Sequence, residues 1–190
     1  MAGSARWGRR AGRDGERDTE RDKDIEREPA SEADLRSTAL NMLGRREFAR
    51  AELAGRLRRK FGDGAPVEPV LDWLEEMNFL NDPRYAGMLV RSRIERGQGA
   101  LRIRQVLQQQ GIATDLAEQA ITDAEEGGCD WFALAADLRR RRFGATPPAD
   151  MKEKARQLRF LQYRGFTGDQ CFAALDVPAA EYDEHHSQDH

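Results

Sequence analysis

The 190-residue sequence carries 34 % charged side chains, a formal net charge of -3 and a mean hydropathy of -0.80, too little apolar material for one deep core and more in keeping with an elongated, thin-cored protein. No apolar run approaches the roughly 20 residues of a membrane-spanning helix. Arg6, Arg9 and Arg10 are not followed by an apolar stretch, which predicts an unexported, cytoplasmic protein.

In chain order, residues 1–30 come first and alternate acid and base, as in Arg13-Asp14-Gly15-Glu16-Arg17-Asp18. Ile25 is almost the only sizeable apolar side chain after Trp7, so the stretch is expected to be a disordered charged tail. From Ser31 the apolar residues take a helical period. Val67, Val70, Leu71, Leu74 and Met77 recur at i, i+3, i+4 and i+7, as do Ala117, Ala120, Ile121 and Ala124, and then Trp131, Leu134, Ala135 and Leu138. No strand alternation competes with this pattern. Asp82 before Pro83 reads as an N-cap followed by the first helical residue, and Thr167 with Gln170 as a capping box. Gly97-Gln98-Gly99 and Thr146-Pro147-Pro148 break the chain. About nine helices are predicted.

They group by threes, because one submotif returns at a period of about 50 residues. Leu53-x3-Leu57-x3-Phe61-Gly62 is echoed by Ile103-x3-Leu107-x3-Gly111-Ile112 and by Gln157-x3-Leu161-x3-Gly165-Phe166. The predicted organisation is a tail (1–30), three three-helix repeats (31–82, 83–128 and 129–177) and an acidic flexible tail (178–190). Together they make an all-α, elongated and curved molecule with a long binding face.

Catalysis is disfavoured by what the folded part lacks. His185, His186 and His190 all lie in the last residues, which leaves no imidazole base or ligand, and no phosphate-binding Gly-Lys-Ser/Thr loop occurs. Cys129 and Cys171 lack metal or redox spacing and are expected to be buried, reduced thiols. No enzyme activity, metal or cofactor is expected. Binding is favoured by charge segregation, since 23 Lys/Arg stand against 19 Asp/Glu between Leu35 and Cys171. Arg84, Arg91, Arg93, Arg96, Arg102 and Arg104 accompany a single acid, Glu95, and then come Arg139-Arg140-Arg141-Arg142, Lys154, Arg159 and Arg164. Planar guanidinium forks suit phosphates and carboxylates, so these residues are the candidate binding face. Trp73, Phe79, Tyr85, Trp131, Phe160, Tyr163 and Phe166 sit mostly at core spacing, which makes base stacking the lesser expectation.

Phe79-Leu80-Asn81-Asp82-Pro83-Arg84-Tyr85-Ala86, then Arg91-Ser92-Arg93-x3-Gly97-x5-Ile103-x3-Leu107-x2-Gln110-Gly111-Ile112, resembles the RecX family signature through its second repeat. Arg142-Phe143-Gly144 followed by Lys154-Ala155-x3-Arg159-Phe160-Leu161-x2-Arg164-Gly165-Phe166 resembles the third. The resemblance runs from about Ala39 to Asp176. It implies a monomeric, non-enzymatic regulator that binds the RecA nucleoprotein filament and restrains its recombinase, ATPase and coprotease activities, in recombination, DNA repair and the SOS response. A weak direct contact with single- or double-stranded DNA is a further expectation. The rivals are a helical DNA-binding module acting without RecA and a helical-repeat scaffold for another protein. Ala49 stands where relatives often place a serine cap, and Gln110 where a Lys or Arg is usual.

Overall fold

The structure, a computed structural model, describes residues 31–176. Among them it has nine α-helices and no strand: α1 (Glu32–Leu43), α2 (Arg50–Phe61), α3 (Val67–Glu76), α4 (Asp82–Glu95), α5 (Ala100–Gln109), α6 (Thr114–Glu126), α7 (Trp131–Phe143), α8 (Met151–Arg164) and α9 (Gly168–Asp176). The two charged tails of the sequence reading lie outside the described residues.

All the extensively packed helix pairs fall within α1–α3, α4–α6 or α7–α9. Apolar burial explains the grouping. Leu35, Leu53, Leu57, Val70, Leu71 and Leu74 close the first core, and Tyr85, Val90, Ile103, Leu107 and Ile121 the second. Ala135, Leu161, Phe166, Cys171 and Ala174 close the third. The first two units match at a spacing of 50 residues along their second and third helices: Leu53 with Ile103, Leu57 with Leu107, Val70 with Ala120, and Leu71 with Ile121. Each unit buries too little alone, so neighbouring units complete one another.

Capping follows the same logic. The first helix of each unit carries its own side-chain cap, from Ser31, Asn81 and Asp130. The second helices α2 and α5 begin at Ala49 and Gly99, which give none. Their exposed backbone donors are met by the following unit instead. Arg50 N–H donates to the Asp82 carboxylate at 2.7 Å, while Gly99 and Leu101 N–H donate to the carbonyls of Arg164 and Gly165 at 2.9 and 3.1 Å. The C-terminus of α8 thus abuts the N-terminus of α5, and Gly111 after α5 abuts Ala51 in α2. Among the described residues no unit follows that of α8, and Asp150 caps this helix by accepting from the N–H of Glu153 at 2.7 Å.

This contact requires glycine. A Cβ on Gly99 would lie 2.4 Å from the Gly165 carbonyl oxygen, and one on Gly165, where φ is +92°, would lie 2.3 Å from Arg102 Cβ.

Several expectations need correction. Asn81, not Asp82, is the N-cap of α4; its side chain accepts from Arg84 N–H at 2.8 Å, which leaves Asp82 free to reach Arg50. Met77 is 53 % exposed because α3 ends at Glu76 and Met77 is already its C-cap. Phe79 and Tyr163 are exposed rather than core, and Cys129 is only half-buried while Cys171 is buried. The Thr167/Gln170 capping box does form, with reciprocal bonds of 2.9 and 3.4 Å.

Candidate functional site

The predicted basic face divides into arginines already occupied within the fold and arginines that are not. Arg139 does not lie on the face at all. Counted from the N-caps Asp130 and Asn81, it takes the slot that Val90 fills in the second unit, and it is 3 % exposed. Its Nε donates to Gln157 Oε1 at 2.9 Å, and its remaining nitrogens hold the carbonyls of Gly144, Ala145 and Thr146 in the loop before α8. Burial lowers its pKa from the usual arginine value, yet a guanidinium with four acceptors stays charged.

Arg84 grips Glu47 through Nε and Nη2 at 2.7 and 3.1 Å and the carbonyls of Asn78 and Phe79, which ties the first unit to the second. Arg104 makes a forked pair with Glu118. That hydrogen bond raises the arginine's pKa and lowers the glutamate's. Arg140 and Arg141 both lean on Asp137, at 3.3 and 2.5 Å. These residues are better placed to hold the fold than to meet a ligand.

Arg91, Arg93, Arg96, Arg102, Arg142, Lys154, Arg159 and Arg164 have no acidic partner among the described residues. Arg91 and Arg96 are exposed, while Arg93 and Arg102 are half-buried. The joint between α5 and α8 brings three of the eight together. Arg164 Nη1 donates to the Arg96 carbonyl at 3.1 Å, and Gly165, one residue on, packs against Arg102. Arg96, Arg102 and Arg164 therefore meet at one seam, although 68 residues separate the first from the last.

A second gathering was not read from the sequence. The Phe143 and Phe160 rings meet edge to face, 5.3 Å between centroids. The Arg142 and Arg156 guanidinium carbons lie 5.7 and 5.3 Å from the Phe143 centroid, and that of Arg164 lies 5.3 Å from the Phe160 centroid. Each such stack contributes about 0.5–1 kcal/mol at exposed sites. A guanidinium held by its face keeps its in-plane N–H groups for acceptors: Arg156 gives Nη1 to Glu153 at 3.1 Å, and Arg164 gives Nη1 to the Arg96 carbonyl. Phe160 and Arg164 stand four apart on α8, a helical spacing that could have revealed one stack; the pairing with Phe143 is tertiary.

A cleft of about 530 Å³ between α4 and α6 is lined by Gly87, Arg91, Glu95, Asp123 and Cys129 among others. Burial, with Glu125 and Asp130 adding to it, pushes the Cys129 thiol up, so it stays protonated at neutral pH and is a poor nucleophile. No group of three or more His, Cys, Asp or Glu among the described residues could hold a metal ion, and no described helix is long and apolar enough to cross a membrane.

Comparison with known proteins matches residues 81–121 to the family model of the RecX second three-helix domain and residues 129–175 to that of the third. Regulatory protein RecX of Halorhodospira halophila is 49 % identical over 155 residues, 82 % of this chain and 92 % of the relative. The protein of the same name from Acidithiobacillus ferrooxidans is 42 % identical over 137 residues, 72 % of this chain and 85 % of the relative. The crystal structure of RecX from Lactobacillus salivarius superposes with a TM-score of 0.64 at 19 % identity, covering 75 % of this chain and 93 % of that one, a likeness of fold.

Proposed function

The chain belongs to the RecX family, and from that premise we propose that it is a cytoplasmic, non-enzymatic and monomeric regulator that binds the RecA filament on DNA. Binding there would lower RecA's ATPase, strand-exchange and coprotease activities, and so restrain recombination, repair and the SOS response. The observation that carries this reading is the 49 % identity to a regulatory protein over nearly that relative's whole length. Two features of the chain support it. Tandem units linked end to end present an extended surface, and the unpaired guanidiniums of the second and third units suit the phosphates and carboxylates of a nucleoprotein filament.

Binding rather than chemistry is the work such a surface can do. RecA hydrolysis of ATP on single-stranded DNA, followed while the protein is added in substoichiometric steps, tests the reading. Hydrolysis should fall at ratios well below one protein per RecA if binding limits or dismantles filaments. Unchanged hydrolysis up to a molar excess would overturn the proposal and favour a scaffold for another protein.

A further inference from the structure

We infer that the cleft between α4 and α6 is a binding site for an indole flanked by arginines, and that its ligand is this chain's own Arg6-Trp7-Gly8-Arg9-Arg10 segment. The inference is independent of the RecA reading, because it concerns a contact within one chain.

The cleft measures about 530 Å³, within the roughly 300–1,000 Å³ of pockets that take small ligands. Val90, Ile94 and Ala124 line it with apolar surface, and Gly87 and Gly128 leave room by bringing no side chain. Three charges complete the lining. Arg91 passes over Gly87 at ordinary contact distance, since a Cβ there would lie 3.5 Å from Arg91 Nη1, and it has no acidic partner among the described residues. Glu95 and Asp123 have no cationic partner there either; Asp123 accepts only from Gln119 Nε2, at 2.7 Å.

Apolar walls beside a free guanidinium suit an aromatic ring, because the guanidinium stacks on the ring by its face. Two carboxylates select a cationic flank, and they repel an acidic polypeptide or a nucleic acid. Glu95 is the single acid between Arg84 and Arg104, so the one break in that basic stretch falls at this cleft.

The sequence of residues 1–30, outside the described residues, supplies the matching chemistry once. Trp7 is their one aromatic residue, and residues 1–13 carry Arg6, Arg9, Arg10 and Arg13 without an acid. Ser31, the N-cap of α1, lies 24 positions after Trp7. A chain of that length spans about 25–30 Å as a coil and up to about 80 Å when extended, more than the roughly 21 Å length of α4.

The test uses the full chain labelled with 5-fluorotryptophan, whose three fluorine resonances come from Trp7, Trp73 and Trp131. Trp7→Phe assigns the first. The Trp7 resonance should stand away from that of free 5-fluorotryptophan and should not move on dilution. Gly87→Leu fills the cleft and favours the helix, so it should return the resonance to the free position while that of Trp73 stays in place as a check on folding. Reversing Glu95→Lys with Asp123→Lys should do the same, and adding Arg9→Glu with Arg10→Glu should restore the shift. Iodoacetamide should alkylate Cys129, which lines the cleft, faster in Trp7→Ala than in the parent, whereas Cys171 is buried. The inference is overturned if the parent resonance already lies at the free position, if Gly87→Leu leaves it where the parent has it, or if dilution releases it, which would assign the contact to a second copy.

Discussion

The Asp82 carboxylate accepts a hydrogen bond from the backbone N–H of Arg50 at 2.7 Å, so a residue in the first turn of the second unit caps a helix of the first. This accounts for alanine at position 49. Its side chain is fully buried in the second core, where a serine hydroxyl would enter an apolar cluster. Losing a helix cap costs about 0.5–2 kcal/mol. Asp82→Ala should therefore lower stability to urea by about 1 kcal/mol, and Asp82→Asn by less, whereas Ala49→Ser should not rescue Asp82→Ala. A rescue would show that the cap can be supplied locally.

The third core contains a polar pair where the second has aliphatic residues. Arg139 and Gln157 replace the equivalents of Val90 and Ile103, and both are nearly fully buried. Removing one partner of this buried hydrogen bond is expected to cost about 1–3 kcal/mol, because the other is left unsatisfied. Replacing both by residues of the second unit should cost less than the sum of the two single changes, although the carbonyls of Gly144, Ala145 and Thr146 still lose their donor. Urea denaturation of Arg139→Val, Gln157→Ile and the double variant that combines them provides the cycle. Additive losses would mean the pair is not coupled.

How far the sequence disclosed this molecule depended on whether local pattern or tertiary contact decided each feature. The helices were legible because the apolar period and the glycine breaks are local. The α4 cap was misread because Asn81 and Asp82 are both good caps, and Arg50, 32 residues upstream, settles which one is free. Arg139 lies in a run of four arginines that nothing local distinguishes; the missing aliphatic at the Val90 slot buries it. Tyr163 was misplaced by its apolar neighbours, although two residues beyond Leu161 means about 200° around the helix, on the opposite side. Among the site residues, the seam of Arg96, Arg102 and Arg164 could not be seen in advance, since it forms only where α5 meets α8.

Acid should weaken the fold through glutamates held ionised by their partners, Glu52 and Glu118 among them. Burial would raise the pKa of Glu52, but hydrogen bonds from Arg46 and Arg56 outweigh it and hold the carboxyl below its ordinary value. Glu118 is lowered by Arg104. A carboxylate with a depressed folded-state pKa stabilises fully above its unfolded value of about 4.3, and the contribution is lost as pH falls through the folded one. Melting temperature should be nearly flat from pH 5 to 8, because residues 31–176 contain no histidine, and should drop below about pH 4. Glu52→Gln should lower the neutral-pH melting temperature and flatten the acid drop. A transition centred near pH 6.5 would contradict this account.

Arginines that hold the fold should be separable by mutation from those proposed to meet the filament. Arg91, Arg96 and Arg102 have no acidic partner among the described residues, and Arg96 and Arg102 sit at the seam with Arg164. Changing all three to alanine should preserve helicity, since alanine is the best helix former and the Cβ of Arg102 that faces Gly165 is retained. Inhibition of RecA should fall: each well-placed charge-assisted hydrogen bond contributes roughly 1.5–3 kcal/mol, so two productive contacts correspond to a loss of about a hundredfold or more. Added salt should mimic the variant, because partly exposed ion pairs are screened over about 10 Å at 0.1 M. Arg104→Ala is the contrast. Its guanidinium is occupied by Glu118, so the change should lower the melting temperature slightly and leave inhibition intact. If the triple variant inhibits RecA as strongly as the parent at matched salt, or if Arg104→Ala abolishes inhibition in a folded protein, the seam is a solvated surface and the contact lies elsewhere.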